Sequence, residues 1–471
     1  MTQISRSINL SSTADKRTKP ARIQSQDSTL RSRVISASAW TVGGYAVSQV
    51  LRLAGNLVLT RLLFPEVFGL MSLVFVFLQG LQMLSDMGLG QSIIQNERGD
   101  DLRFLNTAWT LQIARGIGIW LIAVIGTWPV AWFYGEPRLL WLIPVVGLSA
   151  VISGFGSTAL FTTNRHMVLG RLTVLELGTQ VVSTVAMLAW AVLSPTVWAL
   201  VGGALLGTGL RSLLSHWVLP GPRNTLAWDT EAVRSLMSFG KWIFLASALG
   251  FLGFQMDRLI LPKLISLELL GVYTIALMLS RFPDTLMTSI SARVVFPATS
   301  RRAGLSRDQL RALVLRHRGP ILCAVALPLA ALVAFADVLV SSLYDSRYHQ
   351  GGWMLAMLAV GLWPRALEST IAGGLMAIGQ PRYFAYAGLC RLLTVGLGMP
   401  AAWELWGVPG AVLVAAMGPV GEYGVTCWGL WRHRLLGWRQ DLGTTALWLA
   451  ILATMLGLRC SLGMGMPFVP S

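Results

Sequence analysis

The chain has 471 residues, of which 54% are hydrophobic and 12% charged, with a formal net charge of +16. This composition excludes an ordinary soluble domain and a disordered chain, since apolar runs recur from one end to the other. It also excludes nucleic acid as the partner of the positive charge, because no soluble basic domain exists to present it.

In chain order, residues 1–27 read as a disordered basic tail, too long and too polar to be the start of a cleaved signal. A short interfacial helix is expected from residue 28. Thirteen apolar runs follow, near 34–60, 67–85, 105–133, 139–163, 172–193, 197–219, 239–261, 269–291, 320–343, 352–378, 383–403, 408–431 and 442–458. Each is long enough to cross a hydrocarbon layer about 30 Å thick. In lipid every backbone polar group needs an internal partner, so the runs must be helices. The alternation of barrel strands is absent. Residues 220–238, with Pro220-Gly221-Pro222, form the natural break between two lobes, 28–219 and 239–435. A second short interfacial helix is expected from Thr230. After the eighth run, Ser306-Arg307-Asp308-Gln309 has the form of a capping box, and Leu310, Leu313 and Val314 follow on one face. A basic surface helix on the cytoplasmic leaflet is expected there. Residues 436–471 hold an extra membrane segment outside both lobes.

The two lobes repeat at an offset of 202 residues. Leu59-Thr60-Arg61-Leu62-Leu63-Phe64-Pro65-Glu66-Val67-Phe68-Gly69 returns as Leu261-Pro262-Lys263-Leu264-Ile265-Ser266-Leu267-Glu268-Leu269-Leu270-Gly271. Six spans is an even number, so the repeat is parallel, with its axis along the membrane normal. The fold class is therefore an all-α polytopic membrane protein of two six-helix lobes around a central cavity, plus one or two C-terminal helices.

Charge placement gives the orientation. With a cytoplasmic N-terminus, 25 Lys or Arg fall in inside segments and five outside, namely Arg61, Arg138, Lys263, Arg347 and Arg459. The excess reads as topology and as contact with anionic membrane lipids. The four cysteines, Cys323, Cys390, Cys427 and Cys460, stand singly, without metal or disulfide spacing. Neither H-E-x-x-H nor a phosphate-loop motif is present, so the chain hydrolyses no nucleotide by itself. No outside loop exceeds roughly a dozen residues, which disfavours an enzyme such as a polysaccharide polymerase or ligase. Trp128, Trp132, Trp141, Trp353 and Trp403 lie toward span ends and read as an aromatic belt.

The segment Leu59 to Leu73 resembles the signature between the first two helices of Wzx-type oligosaccharide flippases. These form the polysaccharide-transport branch of the multidrug/oligosaccharidyl-lipid/polysaccharide (MOP) exporter superfamily. Asp86-Met87-Gly88-Leu89-Gly90-Gln91-Ser92-Ile93-Ile94-Gln95 is similar to that family's sequence at the end of the second helix. Phe239-Gly240-Lys241-Trp242, Asp257-Arg258 and Gly271-Val272-Tyr273 resemble the start of its second half. The resemblance runs from about residue 28 to 435. It implies a central cavity, alternating access, and export of undecaprenyl-diphosphate-linked oligosaccharide repeat units across a bacterial inner membrane, for exopolysaccharide or O-antigen synthesis. It implies no cofactor, although H+ or Na+ fits as a coupling ion, and it makes a polysaccharide polymerase and chain-length machinery natural partners. A multidrug or lipid II exporter of the same fold is the alternative.

Ionisable groups at mid-bilayer depth cost about 2.5–3.5 kcal/mol each on insertion scales, so they face a cavity or a partner. By depth, Arg115, Arg281 and Arg365 lie near the middle, Arg52 slightly shallower, and Arg211 and Arg391 nearer the cytoplasm. A guanidinium fork suits phosphate oxygens, so Arg52, Arg115, Arg281 and Arg365 are the expected diphosphate ligands. The competing expectation is internal pairing, Arg281 with Asp284 and Arg365 with Glu368, each at i,i+3. Glu422 is mid-depth with no base at helical spacing, which suits an ion carrier; Glu368 and Asp284 are the alternatives.

Overall fold

A computed structural model describes residues 19–85, 88–290, 307–378, 380 and 382–468 of the chain. The first part of the expected tail, Asp86 and Met87 of the second motif, and Ser306 of the capping box lie outside these residues. No strand occurs among the described residues. The helices are α1 (Lys19–Leu62), α2 (Pro65–Leu84), α3 (Leu89–Gln95), α4 (Leu102–Tyr134), α5 (Leu139–Gly154), α6 (Ala159–Arg165), α7 (Leu169–Leu193), α8 (Val197–Val218), α9 (Thr230–Leu264) and α10 (Leu267–Ile290). Then come α11 (Arg307–Ala334), α12 (Ala336–Leu343), α13 (Gly351–Val360), α14 (Leu362–Ile371), α15 (Gly373–Ala377), α16 (Arg382–Arg432) and α17 (Trp438–Ser461). Among the described residues seven helices are each long and apolar enough to cross a membrane, and α5 with α6 makes an eighth across a 57° bend. The protein is a multi-pass membrane protein.

All thirteen apolar runs are helical, and the differences from expectation lie in where helices break and where they do not. Neither interfacial helix stands apart. Residues 19–27 are already helical within α1, and Thr230 opens α9, whose N-cap is Asp229, its carboxylate accepting from the amides of Glu231 and Ala232. Neither proline nor glycine stands between residue 28 or Thr230 and the spans that follow, so the helices run on. The expected surface helix is likewise the first turns of α11. Leu310 and Val314 are buried there against Ile371, Leu375, Tyr383 and Leu430 rather than on lipid.

Breaks occur instead inside three expected spans, the ninth of them at Phe335, between α11 and α12. Between α5 and α6 the chain turns at Phe155, and Gln112 Nε2 on α4 donates to the carbonyls of Ser153, Gly154 and Gly156, each at 3.1 Å. The helix ends there, and the side-chain amide supplies a donor to carbonyls that the next turn of helix would have served; Ser153 also accepts from the Gly156 amide at 3.0 Å. The tenth span is split into α13, α14 and α15. The break at Gly361 lets the backbone meet α16, because a Cβ there would fall on the Ala416 carbonyl oxygen. Two expected spans form α16, folded at Gly407, whose φ of 63° no helix allows.

The two copies of the repeated motif meet each other. A Cβ on Gly69 would fall on the Leu267 carbonyl oxygen, and a Cβ on Gly271 on the Pro65 carbonyl oxygen. These are the same contact read twice at the 202-residue offset, a local two-fold between α2 and α10. The α1–α2 end is further tied by Arg347 Nη2, which donates to the carbonyls of Thr60 (3.2 Å) and Arg61 (3.1 Å), and by the Tyr134 hydroxyl on the Leu259 carbonyl (3.0 Å). At the opposite end Arg98 pairs with Asp229 (2.9 Å), and the linker is stitched along α4, where Asn106, Thr107 and Thr110 bond Thr225, Asp229 and Ala227. Halfway along, α2 and α9 touch through Gln255 Nε2 on Gln79 Oε1, 2.7 Å.

The extra helix α17 is clamped to the second half. Arg318, counted in the sequence as a cytoplasmic loop charge, is fully buried and pairs with Asp441. Its Nε also donates to Thr370 Oγ1 (2.8 Å) and its Nη2 to the Leu367 carbonyl (2.9 Å). At the far end Arg459 Nη1 holds Asp337 at 2.6 Å, and Trp363 stacks on Trp448 with centroids 5.3 Å apart. Trp353, expected in the aromatic belt, is in the core, whereas Trp128, Trp132 and Trp141 are exposed on the periphery.

Candidate functional site

A cavity of about 640 Å³ lies mainly in the second half, with Gln79 and Met83 of α2 completing its wall. Helices α2, α9, α10, α13, α14 and α16 form its wall, and its charge comes from Arg281, Arg365 and Arg391 against Asp257 and Asp284. Arg365 is the hub. The break at Gly361 starts α14 inside the bundle, which carries Arg365 to the axis. Its Nη1 lies 2.9 Å from Glu368 Oε2 and 3.4 Å from Glu422 Oε2, and its Nε lies 3.2 Å from Asp284 Oδ1. Arg391 Nη1 shares Glu422 Oε2 at 3.3 Å. The Phe254 ring lies beneath both guanidiniums, its centroid 5.3 Å from Arg365 and 4.7 Å from Arg391, a cation–π floor.

Arg281 stands differently. Among the described residues its one polar partner is Gln255 Oε1, at a long 3.4 Å. Gln255 continues to Gln79, so Arg281 sits where α10, α9 and α2 converge. Asp257, on the cavity wall, accepts from the buried Tyr273 hydroxyl at 2.6 Å.

Of the expected diphosphate ligands the structure brings Arg281 and Arg365 together and separates the other two. Arg115 lines a second cavity of about 720 Å³ in the first half, with Gln82, Gln91, Gln112 and Asn164, and bonds Ser85 Oγ (3.1 Å) and the Gln82 carbonyl (2.7 Å). Arg52 is exposed and lines a third, of about 430 Å³, beside Gln180 and the Arg211–Glu176 pair. All three expected ion carriers converge on Arg365. Glu422, which has no base at helical spacing, is shared by Arg365 from α14 and by Arg391 from the other arm of α16. The competing expectation of internal pairing is met for Arg365 with Glu368, while Asp284 pairs with Arg365.

Arg391 belongs to the cluster, and depth alone had placed it nearer the cytoplasm. A signal existed: Arg391 lies sixteen residues before Gly407 and Glu422 fifteen after it, so a hairpin folded at that glycine sets them level. Gln79, Gln255 and Phe254 carried no signal, because isolated amides and a phenylalanine in apolar helices look like filler.

The fold and the site together are those of a multi-pass membrane helical bundle with a cavity of paired arginines and carboxylates. The model of the polysaccharide biosynthesis protein family matches residues 58–351, and the chain belongs to that family. It is 22% identical over 328 residues to the teichuronic acid biosynthesis protein TuaB of Bacillus subtilis, covering 68% of this chain and 66% of that one. It is 24% identical over 274 residues to the lipopolysaccharide biosynthesis protein WzxC of Escherichia coli, covering 57% and 55%. The matches thus span less than two thirds of those relatives. Its fold is that of the MOP superfamily. The inward closed conformation of the lipid II flippase MurJ superposes with a TM-score of 0.68 at 12% identity, covering 89% of this chain and 92% of that one. The inward-facing conformation of a multidrug resistance MATE family transporter superposes with 0.65 at 16% identity, covering 82% and 94%.

Proposed function

We propose that the protein is a non-enzymatic flippase that carries an undecaprenyl-diphosphate-linked oligosaccharide repeat unit from the cytoplasmic to the outer leaflet of a bacterial inner membrane. The observation that carries the reading is the half-buried cluster Arg281–Arg365–Arg391 on one cavity wall. Fixed guanidinium forks in a low-dielectric cavity suit a diphosphate and repel cationic drugs. On the topology proposed from the positive-inside rule, the α1–α2 end faces outward and the cavity lies in the cytoplasmic half.

The carboxylates set the exchange. Asp284, Glu368 and Glu422 occupy the same guanidinium donors that a diphosphate needs, so substrate and internal acids compete for Arg365 and Arg391. A proton or Na+ taken up by these acids frees the arginines and couples ion to substrate, as any reciprocal linkage requires. The membrane potential, negative inside, also favours outward movement of a dianion.

Deleting the gene and fractionating lipid-linked intermediates tests the reading. Complete unpolymerised repeat units should accumulate on the cytoplasmic leaflet; complete units appearing outside in the deletion strain would refute it.

A further inference from the structure

A separate crevice of about 440 Å³ opens on the periphery toward the α1–α2 end, between α2, α4 and α9. Leu73, Phe77, Val130, Phe133 and Leu259 line it, and among its described lining residues Arg258 alone carries charge. Trp132 at its edge is 76% exposed, so the crevice faces lipid.

Arg258 is the anomaly. Its Nε is buried without a hydrogen-bond partner, and no carboxylate forms an ion pair with it among the described residues. Its charged neighbours act in opposite senses, Arg281 repelling it and Asp257 attracting it, but Asp257 already accepts the Tyr273 hydroxyl. A cation held in an apolar crevice without a bonded counter-ion is costly, and it persists where something outside the chain supplies the anion. A second cation stands at the mouth. Lys263 lies five residues further along α9, about 7.5 Å up its axis, with its Nζ 4.5 Å from the Phe133 ring centroid. An orphan arginine at the base, a lysine at the rim and an apolar trough between fit one amphiphile.

We infer that this crevice is a binding site for an anionic phospholipid, its phosphate on Arg258, its headgroup at Lys263 and one acyl chain along Phe77 and Val130. On the proposed topology the lipid comes from the outer leaflet. The walls come from both halves, α2 and α4 from one and α9 from the other. A lipid seated there braces the sealed state of the seam.

Native mass spectrometry of the purified full-length protein tests the site, with phosphatidylglycerol and a diacylglycerol of the same chains as probes. One phosphatidylglycerol should be retained and the diacylglycerol should not. Arg258→Ala should weaken retention roughly tenfold to a hundredfold, the worth of one charge-assisted hydrogen bond. Val130→Trp, which fills the trough and keeps the arginine, should do the same and decides the matter should Arg258→Ala misfold. Arg61→Ala, an exposed arginine at the same end, should change nothing. Equal retention of diacylglycerol, or unchanged retention by both crevice variants, overturns the site. Displacement of phosphatidylglycerol by equimolar polyprenyl phosphate overturns the assignment of the occupant, and none of these outcomes bears on export itself.

Discussion

Arg281 and Arg365 look alike in the sequence and differ in what their loss does. Arg281 has one long bond to a neutral amide, so Arg281→Ala removes a charge without stranding a partner. The variant should express and fold normally and lose most export, and Arg281→Lys should restore part of it, keeping the charge without the fork. Normal export by well-folded Arg281→Ala protein removes the residue from the diphosphate site. Arg365→Ala instead takes a shared counter-ion from Glu368, Glu422 and Asp284, and breaking such a buried pair costs about 3–5 kcal/mol. Its loss of export should therefore come with a loss of stability, read in the same thermal melt. Glu422 bridges two arginines, so Glu422→Gln mimics the protonated acid and loosens both. If it carries the coupling ion, substrate binding persists and transport in proteoliposomes loses its pH dependence; an unchanged pH profile leaves Glu368 and Asp284 to be tested.

At the scale of elements, helix contacts turn on a few glycines. Gly271 touches the Pro65 carbonyl across the local two-fold, so Gly271→Ala must part α2 from α10 and should cost about 1–3 kcal/mol, as overpacking does. Gly118, within α4, has open space where its Cβ would stand. There the same substitution should stabilise by up to about 1 kcal/mol through helix propensity alone. Opposite signs in a thermal melt would confirm that contact, not helix breaking, fixes Gly271. The helices themselves were legible, since each apolar run is helical over most of its described residues. The breaks in the fourth, ninth and tenth runs were not. Those in the fourth and tenth depend on a partner outside the run: Gln112 capping α5 from α4, and Ala416 admitting Gly361.

For the whole molecule, topology and the latch between halves are the testable features. Cysteines placed singly at Arg307 and at Lys263 should react from opposite sides of the membrane, Lys263 with an impermeant reagent outside intact spheroplasts. Labelling of position 307 from outside refutes the orientation. The latch is the Arg98 guanidinium, which holds the carboxyls of Asp101 and Asp229 below the usual carboxylate range through direct hydrogen bonds. A carboxyl depressed in the folded state stabilises above its unfolded value of about 4 and loses that contribution as pH falls through its folded value. The purified protein should therefore lose thermal stability below about pH 4, and Asp229→Asn should flatten part of that fall. An identical acid profile in the variant shows that the latch contributes nothing.

The sequence by itself determined the all-helical membrane class, because burial in lipid forces each long apolar run into a helix; that the two motif copies touch each other came only from the structure. It also marked Arg281, Arg365, Glu368, Asp284 and Glu422, because charge at membrane depth is too costly to be idle. Only the tertiary structure decided which of them share a cavity. Arg391 joins through the hairpin at Gly407, while Arg52 and Arg115 fall in cavities of the other half. Arg318, read as a loop charge, proves to be the buried anchor of α17. Depth along a helix is written in one run of residues, but its facing direction and its partners are set by helices up to several hundred residues away, and no local pattern encodes them.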